Sequence, residues 1–486
     1  MTIVRDLLIG GQSVPASSGA RVSDVNPFTG EVVAEVAAAT PKDVTAAVEA
    51  AAEAFGTWST SPGKDRRRVL LKAADLLEEK MGEVASAMTA ETGSIMPWGY
   101  FNVDFAANML REAAGAATAP IGEVLATDSP NRSSYAIRQP AGVVAAFAPW
   151  NAPTILGIRA LAVPLAVGNT VVLRPSEEAP ISAGLLLADV LSEAGLPDGV
   201  LNVVTNDPAD AADVAETLIG DPRVRRVSFT GSTRVGRIMG EIAARHLTPA
   251  ILELGGKNSV IVLDDADLEY AVNAVAFGCY MNSGQICMSA DRVIVHRSLA
   301  DDFIEALAAK ASALPAGDPS SPDTVIGPLI HERAAARVEQ LVSHALGEGA
   351  SLRAGSSKAD GALFPATVLA DVTSSLPIWH EEVFGPVSAV VTVDSEDEAV
   401  ALANDTRYGL TAGIITGDAA RGFSVASRIR TGIAHVNDQS VDDEPQAPFG
   451  GVGDSGYGRF GGRAGIDSFT ELRWITIQQG RRPFPF

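Results

Sequence analysis

Cysteine and histidine are scarce in this chain of 486 residues, which has two cysteines and six histidines. Two cysteines cannot build a disulfide scaffold, and so few are typical of a protein from a reducing cytoplasm. No histidine has the C-x-x-C or H-x-x-x-H spacing of a zinc ligand set. We therefore expect a cytoplasmic protein without a metal centre.

Basic residues are also in deficit, since 37 Lys and Arg stand against 59 Asp and Glu, a net charge of -22. Such a surface argues against nucleic acid or an anionic membrane as a partner. The uncharged stretch from Gln139 to Ile158 is interrupted by Pro140, Pro149 and Pro153. A strand, a loop and a helix start therefore fit it better than a membrane span. The N-terminus lacks the pattern of a signal peptide.

What is present is an alternation of strands and helices. The chain is too long for one core. Apolar strand-like runs alternate with helical segments from 142 to 246, and the same alternation begins again at 259. This predicts an α/β fold with two doubly wound parallel sheets and a domain change near 255–265. Thr40 caps a first helix that we expect to end at Gly56. The tail 469–478 reads as an edge strand able to pair across subunits.

The two cysteines occupy different settings. Cys287 lies in NSGQICMSA (282–290), a Gly- and Ser-rich stretch that predicts a loop, where catalytic groups are common. Cys279 lies in a helix-like segment among apolar residues and reads as a buried hydrophobe. No serine has the G-x-S-x-G context of a hydrolase elbow. The local sequence leaves Cys287 open between a nucleophile and a buried structural thiol.

A nucleophilic thiol needs a base and a donor for the oxyanion. Glu253 ends a strand in ILELGGKN, before two glycines that let other groups approach. It reads either as a water-activating base or as a strand-end carboxylate in solvent. Asn151 follows a buried strand in APWNAP and reads either as an oxyanion donor or as an Asx turn before Pro153.

Three stretches are candidates for binding phosphate or ribose. GVGDSG (451–456) matches G-x-G-x-x-G, but no β–α–β unit surrounds it, so we do not take it as a dinucleotide site. In VSFTGSTRVG, Gly231 and Ser232 open a helix after a strand, a setting that suits a diphosphate or an ordinary capped turn. In LRPSEE, Arg174 and Glu177 either hold ribose hydroxyls or form a solvated charge pair.

Taken together, these segments resemble the aldehyde dehydrogenase superfamily over nearly the whole chain. The matching stretches, in the order and spacing of the family, are NPFTGEVV (26–33), ETG (91–93), APWNAP (148–153), GNTVVLRPSE (168–177), FTGSTRVG (229–236), LELGGKN (252–258), GQICMS (284–289), EEVFGPV (381–387), NDTRYGL (404–410) and APFGGVGDSGYG (447–458). The resemblance implies an NAD(P)-dependent oxidation of an aldehyde to the acid through a cysteine thiohemiacetal and a thioester. Cys287 would be the nucleophile, Asn151 with the Cys287 backbone N–H the oxyanion donors, and Glu253 the base that activates water.

The resemblance also implies a cofactor site. The positions that match contacts to adenosine and diphosphate are Trp150, Arg174, Glu177, Gly231 and Ser232, and those that match contacts to the nicotinamide ribose and ring are Glu382 and Phe384. Glu177 favours free ribose hydroxyls and hence NAD. Arg174 stands where the family usually has Lys, and a guanidinium could tolerate a 2′-phosphate, so NADP use stays open.

A second departure from the family pattern concerns the substrate side of the site. Arg159 and Ala160 stand where many relatives have an aromatic residue followed by Lys, which leaves Glu253 without the lysine of a proton relay. A buried Arg159 needs a substrate or a protein partner to pair with, or is a structural ion pair away from the substrate. PWNAPTILGIRA, REAAG and SGYGRFGGRAGIDSFTELRWITIQ resemble the branch that oxidises benzaldehyde, vanillin and salicylaldehyde. Arg159, Phe449 and Tyr457 are the implied substrate residues.

The resemblance implies a domain plan and an assembly. We expect an NAD(P)-binding domain over 1–124 and 144–256, a catalytic domain over 257–455, and a small β oligomerisation extension over 125–143 and 456–486. A homodimer or homotetramer follows from the same resemblance. The alternatives are an aliphatic, semialdehyde or CoA-acylating dehydrogenase, a plain thiol hydrolase, and a catalytically silent relative that acts as a binding protein.

Overall fold

The computed structural model describes residues 2–486. Its helices are Pro41–Trp58 (α1), Gly63–Glu79 (α2), Met81–Thr92 (α3), Met96–Ala116 (α4), Pro153–Ala166 (α5), Leu186–Glu193 (α6), Ala211–Gly220 (α7), Thr233–Arg245 (α8), Leu268–Tyr280 (α9), Arg297–Ser312 (α10), Glu332–Gly347 (α11), Pro377–His380 (α12), Glu396–Ala403 (α13), Ala419–Ala426 (α14) and Gly462–Ser468 (α15). A π-helical turn precedes α6 at Ile181–Leu185. None of these helices combines the length and the apolar character needed to cross a membrane.

The strands are Ile3–Arg5 (β1), Leu7–Ile9 (β2), Gln12–Val14 (β3), Arg21–Val25 (β4), Val32–Ala37 (β5), Gly122–Val124 (β6), Arg132–Pro140 (β7), Val143–Ala148 (β8), Thr170–Pro175 (β9), Leu201–Val203 (β10), Val224–Thr230 (β11), Ala250–Glu253 (β12), Ser259–Val262 (β13), Arg292–His296 (β14), Ser351–Ala354 (β15), Thr367–Ala370 (β16), Val387–Val393 (β17), Ala412–Ile415 (β18), His435–Val436 (β19), Gly456–Tyr457 (β20) and Thr470–Gln478 (β21). They form two large and two small sheets.

The first large sheet has the order β20-β12-β11-β8-β9-β10-β2-β3, and its central strands β12 to β10 are parallel. Both of its faces are covered. Val144 and Ala146 of β8 pack into a core with α2 to α6, whereas Val143 and Ala145 pack into a core with α1, α7 and α8. This two-sided burial explains the continuous apolar runs in the sequence.

The second large sheet has the order β15-β16-β17-β14-β13-β18-β19 and is parallel except for β15. Ile261 of β13 faces a core with α11, α13 and α14, and its neighbours Val260 and Val262 face a core with α9 and α10. The chain passes from the first sheet to the second between Glu253 and Ser259. The two doubly wound sheets confirm the predicted α/β fold.

A smaller antiparallel sheet has the order β21-β7-β6. The predicted strand at 469–478 is present as β21, which pairs with all nine residues of β7. One boundary prediction is wrong, because α1 continues past Gly56 to Trp58. The Trp58 indole is buried and donates a hydrogen bond to the Leu165 carbonyl at 3.1 Å. Burying this ring outweighs the cost of about 1 kcal/mol for a glycine inside a helix.

Candidate active site

A cavity of about 1250 Å³ opens where the two large sheets meet. Eight of the residues predicted for catalysis or cofactor binding line it, namely Trp150, Asn151, Gly231, Ser232, Glu253, Cys287, Glu382 and Phe384. They come from segments that follow β8, β11 and β12, from the loop after α9 and from the loop after α12. Because the carboxyl ends of parallel strands meet at one edge of a sheet, distant sequence positions converge there.

Asn151 lies between the end of β8 and the start of α5 and is buried. Its backbone carbonyl accepts hydrogen bonds from the Trp98 indole at 3.1 Å and from the Asn282 amide at 2.9 Å. Its side-chain amide donates to the Gln285 carbonyl at 3.0 Å, two residues before Cys287. An amide group carries two N–H hydrogens, so the second can serve a ligand in the cavity.

The loop that carries Cys287 has an unusual backbone. Asn282, Ser283 and Gly284 are consecutive residues with positive φ angles of 48°, 56° and 70°. Non-glycine residues adopt this region at a cost of about 1–3 kcal/mol each. The hydrogen bonds from Asn282 to Asn151 and from Ser283 Oγ to the Gly327 carbonyl hold the turn. The structure therefore fixes a strained turn directly before the predicted nucleophile.

The backbone around Cys287 is held by residues that the sequence did not single out. Asn258 donates from its amide to the carbonyls of Cys287 at 2.8 Å and of Ser289 at 2.9 Å. The Ser440 hydroxyl donates to the Met288 carbonyl at 2.7 Å. The Cys287 backbone N–H has no acceptor within residues 2–486. The loop thus has its carbonyls tied back and one N–H left for a ligand.

Gly255 and Gly256 let these segments approach each other. A Cβ atom at Gly255 would lie 2.4 Å from a carboxylate oxygen of Glu382, and one at Gly256 would lie 2.5 Å from the Cys287 carbonyl. Any side chain at either position would push the two loops apart. The double glycine after Glu253 is therefore required by packing on both sides.

Glu253 is fully buried at the end of β12. Neither of its carboxylate oxygens has a hydrogen-bond partner in the described part of the chain. Burial raises the pKa of Glu253 to about 8, against the opposing effects of the Arg159 charge and of the neighbouring Cys287 thiol. A buried carboxyl group without partners is poised to exchange a proton near neutral pH.

Cys287 adjoins Glu253. Burial, followed by the charges of Glu253 and Glu382, raises the pKa of the Cys287 thiol well above its ordinary value, while Arg159 lowers it. The resting thiol therefore keeps its proton at neutral pH and needs a base to release it. Burial raises the pKa of Cys279 even beyond the physiological range, and its thiol donates to the Ala290 carbonyl at 3.0 Å. The structure thus places Cys279 in the core, away from the cavity.

A buried ion pair joins the three loops of the site. Lys257 Nζ lies 3.1 Å from Asp291 Oδ2, and both side chains are almost fully buried. The same Asp291 oxygen accepts the Val383 backbone N–H at 3.0 Å. Lys257 follows Glu253 in sequence, Asp291 follows Cys287, and Val383 follows Glu382. The pair therefore sets the spacing between the predicted base, nucleophile and cofactor residues.

Glu382 and Phe384 reach the cavity from the loop after α12. Burial raises the pKa of Glu382 to about 7, while its hydrogen bond from the Gly256 backbone N–H at 2.9 Å lowers it. Phe384 has a positive φ of 52° and meets Trp150 edge to face at 5.6 Å between ring centroids. The two rings form a wall between the two sheets.

The remaining cofactor candidates lie at the carboxyl ends of β9 and β11. Arg174 forms an ion pair with Glu177 at 2.9 Å and donates to Asn206 Oδ1 at 2.7 Å. Ser232 caps α8 by accepting the Val235 N–H at 3.4 Å. The first N–H groups of a helix have no helical acceptor and attract an anion. At this edge of the sheet, the Glu177 carboxylate can accept hydrogen bonds from hydroxyl groups, and the N-terminus of α8 can bind a diphosphate.

The predicted substrate residues do not share the cavity wall. The described residues that line the cavity do not include Arg159, Phe449 or Tyr457. Arg159 is buried, forms an ion pair with Asp443, and its guanidinium carbon lies 4.1 Å from the Phe449 ring centroid. The positive charge of Arg159 lowers the pKa of both Glu253 and Cys287. The ion pair with Asp443 therefore lies inside the protein but near the two predicted catalytic residues.

The position of Tyr457 differs from the prediction that it contacts the substrate. It lies on the short edge strand β20, opposite Leu252, and is half exposed. Its hydroxyl oxygen lies 3.6 Å from where a Cβ would stand on Gly240 of α8. The side chain therefore packs on the outside of the first sheet, because alternate positions of a strand face opposite sides. The structure does not bring Tyr457 to the catalytic residues.

Known proteins are similar to this chain in sequence and in fold. Residues 14–475 match the model of the aldehyde dehydrogenase family. A vanillin dehydrogenase of Pseudomonas fluorescens is 52% identical over 479 residues, which cover 99% of each chain. A benzaldehyde dehydrogenase of Pseudomonas putida, named for NAD(+), is 42% identical, with 95% of this chain and 94% of the other covered. The crystal structure of a salicylaldehyde dehydrogenase from Pseudomonas putida G7 complexed with salicylaldehyde matches with a TM-score of 0.97, 42% identity and full coverage of both chains.

Proposed function

The chain belongs to the aldehyde dehydrogenase family, an NAD(P)-dependent oxidoreductase family, and we propose that it oxidises aromatic aldehydes to their acids with NAD. The observation that carries the proposal is the meeting of Cys287, Glu253, Asn151 and Glu382 on one cavity. A nucleophile, a base, an oxyanion donor and a hydroxyl acceptor are the groups that this oxidation requires.

The first step is an attack by Cys287 on the aldehyde carbon. The Cys287 thiol transfers its proton to the Glu253 carboxylate, and the sulfur forms a bond to the carbon while the carbonyl electron pair moves to oxygen. Asn151 and the free Cys287 backbone N–H donate to this oxyanion. Hydrogen bonds to the carbonyls of Gln285 and Cys287 fix the backbone on both sides of that N–H, so the donors are set before the charge develops.

A nicotinamide held beside Glu382 and Phe384 would supply the hydride acceptor that oxidation of this adduct requires. The product on the enzyme is a thioester of Cys287. Glu253, once it has released its proton to solvent, takes a proton from a water molecule, and the water oxygen attacks the thioester carbon. The carbon–sulfur bond then breaks, Cys287 leaves as a thiolate, and the acid departs. A carboxylate base with a pKa of about 8 is matched to this step near neutral pH.

The chain's own residues fit NAD. The N-terminus of α8 with Gly231 and Ser232 would hold the diphosphate, and Trp150 would pack beside it. Glu382, whose second carboxylate oxygen faces the cavity side of Gly255, would accept a ribose hydroxyl near the nicotinamide. Glu177 would accept the adenosine ribose hydroxyls. Its ion pair with Arg174 fixes its position, and its negative charge disfavours a 2′-phosphate.

An aromatic substrate is supported by the surroundings of Cys287 and by the relatives. The Cys287 side chain packs against a core that contains Trp98, Leu156 and Phe449. Trp98 stacks on Phe101 at 5.3 Å, and this aromatic row of α4 runs from the buried Trp98 to the half-exposed Phe101. An aromatic ring gains more from such a wall than a short aliphatic chain does. We propose that the aldehyde ring packs against this apolar and aromatic surface.

The assembly is proposed to be a dimer or a tetramer built on β21. This strand ends its sheet, and Leu472, Trp474 and Ile477 on it are largely exposed. An end strand with exposed large apolar side chains is a surface that a second copy can cover. Light scattering after gel filtration should give twice or four times the mass of one chain, and a monomer would contradict the proposal.

The test is a comparison of benzaldehyde, vanillin, salicylaldehyde and propanal, each with NAD and with NADP, followed by NADH or NADPH absorbance. Aromatic aldehydes with NAD should give the highest kcat/KM and the free acid as product. Cys287→Ala should abolish turnover, and Cys279→Ala is the matched control that keeps it. Turnover of propanal alone, formation of acyl-CoA when CoA is supplied, or ester hydrolysis without any dehydrogenation would each contradict the proposal.

A further inference from the structure

The charges around the catalytic pair are mostly negative. Glu382 and Asp443 both raise the pKa of Glu253, and Glu253 and Glu382 both raise that of Cys287. Arg159 is the cation that acts on both members of the pair. Acidic groups packed together in a buried site oppose each other's ionisation unless a cation is held nearby.

Arg159 is positioned for this task by its place on α5 and by two contacts. It lies one turn after Leu156 on α5, and Leu156 lines the cavity with Cys287 and Glu253. Its guanidinium forms an ion pair with Asp443. The ring of Phe449 lies against the guanidinium at 4.1 Å, and its backbone exchanges hydrogen bonds of 3.0 and 2.9 Å with Phe460. A guanidinium held between a carboxylate and a fixed ring cannot swing away.

The reaction needs a fixed cation at this place. When Glu253 is ionised and Cys287 is a thiol, the two side chains together carry one negative charge. When the proton has passed from sulfur to the carboxylate, they still carry one negative charge, now on sulfur. After attack, the charge moves to the substrate oxygen. The negative charge therefore stays within a few ångströms throughout, and a stationary positive charge stabilises each of these states.

We propose that Arg159 is a positioning residue of the catalytic pair, a buried counter-charge that Asp443 and Phe449 hold in place so that Cys287 and Glu253 can share one negative charge. This inference rests on the function proposed above. It assigns Arg159 a role that does not depend on which aldehyde is bound.

The test is the pH profile of the rate at which iodoacetamide alkylates Cys287, followed upward from neutral pH until the rate levels off, without aldehyde or cofactor. The full chain carries Cys279→Ala in every sample, so that one thiol is followed. Arg159→Met should raise the midpoint of the alkylation profile by about one pH unit or more, which is about tenfold slower alkylation at a fixed pH below the midpoint. Arg159→Lys keeps the charge and should restore most of this shift.

Asp443→Asn separates a charge effect from a structural one. It removes a negative charge beside the pair, while the asparagine side-chain oxygen can still accept a hydrogen bond from Arg159 and hold it in place. The midpoint should therefore move down, opposite to Arg159→Met. Arg226→Met is the matched control, because Arg226 is also buried and paired, with Glu471, at the other end of β11. It should leave the midpoint unchanged.

An unchanged midpoint in Arg159→Met would overturn the proposal, as would shifts in the same direction for the Arg159 and Asp443 variants. Folding of each variant is checked by gel filtration and circular dichroism, and Arg159→Lys and Asp443→Asn keep the test decisive if Arg159→Met does not fold. Because alkylation needs no substrate, the expected shifts in a protein that oxidises no aldehyde would refute the proposed function alone. Loss of turnover with aromatic aldehydes only, at an unchanged midpoint, would assign Arg159 to substrate binding instead.

Discussion

The ionisation of Glu253 should cost the folded protein stability, and Glu253→Gln should remove that cost. The carboxyl group is fully buried, its oxygens have no partner in the described chain, and its pKa is raised from 4.5 to about 8. Between these two values the folded chain holds a proton that the unfolded chain has released. Stability therefore falls as the pH rises through this window and levels off above pH 8.

The size of the effect follows from the same numbers. Each pH unit within the window changes the free energy of unfolding by about 1.36 kcal/mol. Between pH 6 and pH 9, about two units lie below the folded pKa of Glu253. The wild-type chain should lose about 3 kcal/mol from this group over that range. Glutamine has nearly the same shape and cannot ionise, so Glu253→Gln should gain that amount relative to wild type.

The assay is denaturant unfolding of both chains at pH 6 and pH 9, without cofactor. The comparison across pH cancels any change in stability from altered neutral contacts in the variant. Glu241→Gln, at an exposed glutamate of α8, is the control and should show no pH-dependent difference from wild type. A difference between Glu253→Gln and wild type that stays constant from pH 6 to pH 9 would refute the reasoning.

Three further predictions concern the rest of the site. Asn151→Ala should lower kcat by about 10²–10³ through loss of an oxyanion donor, while iodoacetamide still alkylates Cys287 at the wild-type rate. Asp291→Asn should reduce the free energy of unfolding by about 3–5 kcal/mol, measured in urea, because it leaves the buried Lys257 charge unpaired. Glu177→Gln should raise kcat/KM for NADP relative to NAD about tenfold, equal to about 1.4 kcal/mol of repulsion removed. An unaltered ratio of the two cofactors would contradict that role.

The fold was largely predictable because strand and helix periods differ and both sheets are buried on both faces. The apolar run 143–148 fits a strand with a core on either side because it is short and lies between Pro140 and Pro149. The limits were set by tertiary contacts. Gly56 lies inside α1 because the helix extends to bury Trp58. The Trp58 indole donates a hydrogen bond to the carbonyl of Leu165, and nothing in the sequence near Gly56 predicts this distant contact.

The site was predictable where one motif carries a reactive group and not where two distant segments meet. Cys287, Glu253 and Asn151 are predictions from family motifs, and the structure brings these three residues to one cavity. Asp443 could not be predicted as the partner of Arg159, since 284 positions separate them and Asp443 lies among other acidic residues with no motif around it. A charged residue in an apolar helix does signal that a partner exists, without saying which.

The structure divides hydrogen bonding unequally between the reacting groups and the residues behind them. Glu253 has no partner, and the Cys287 backbone N–H is also free in the described chain. Behind them, the Asn258 side chain makes three hydrogen bonds, and Asp291 binds both Lys257 and the Val383 N–H. A reacting group that already made a hydrogen bond would have to break it before each step. A supporting group without hydrogen bonds would leave the loops free to move. The stability lost at Glu253 and in the left-handed turn at Asn282 can be tolerated because Asn258 and Asp291 hold the surrounding loops.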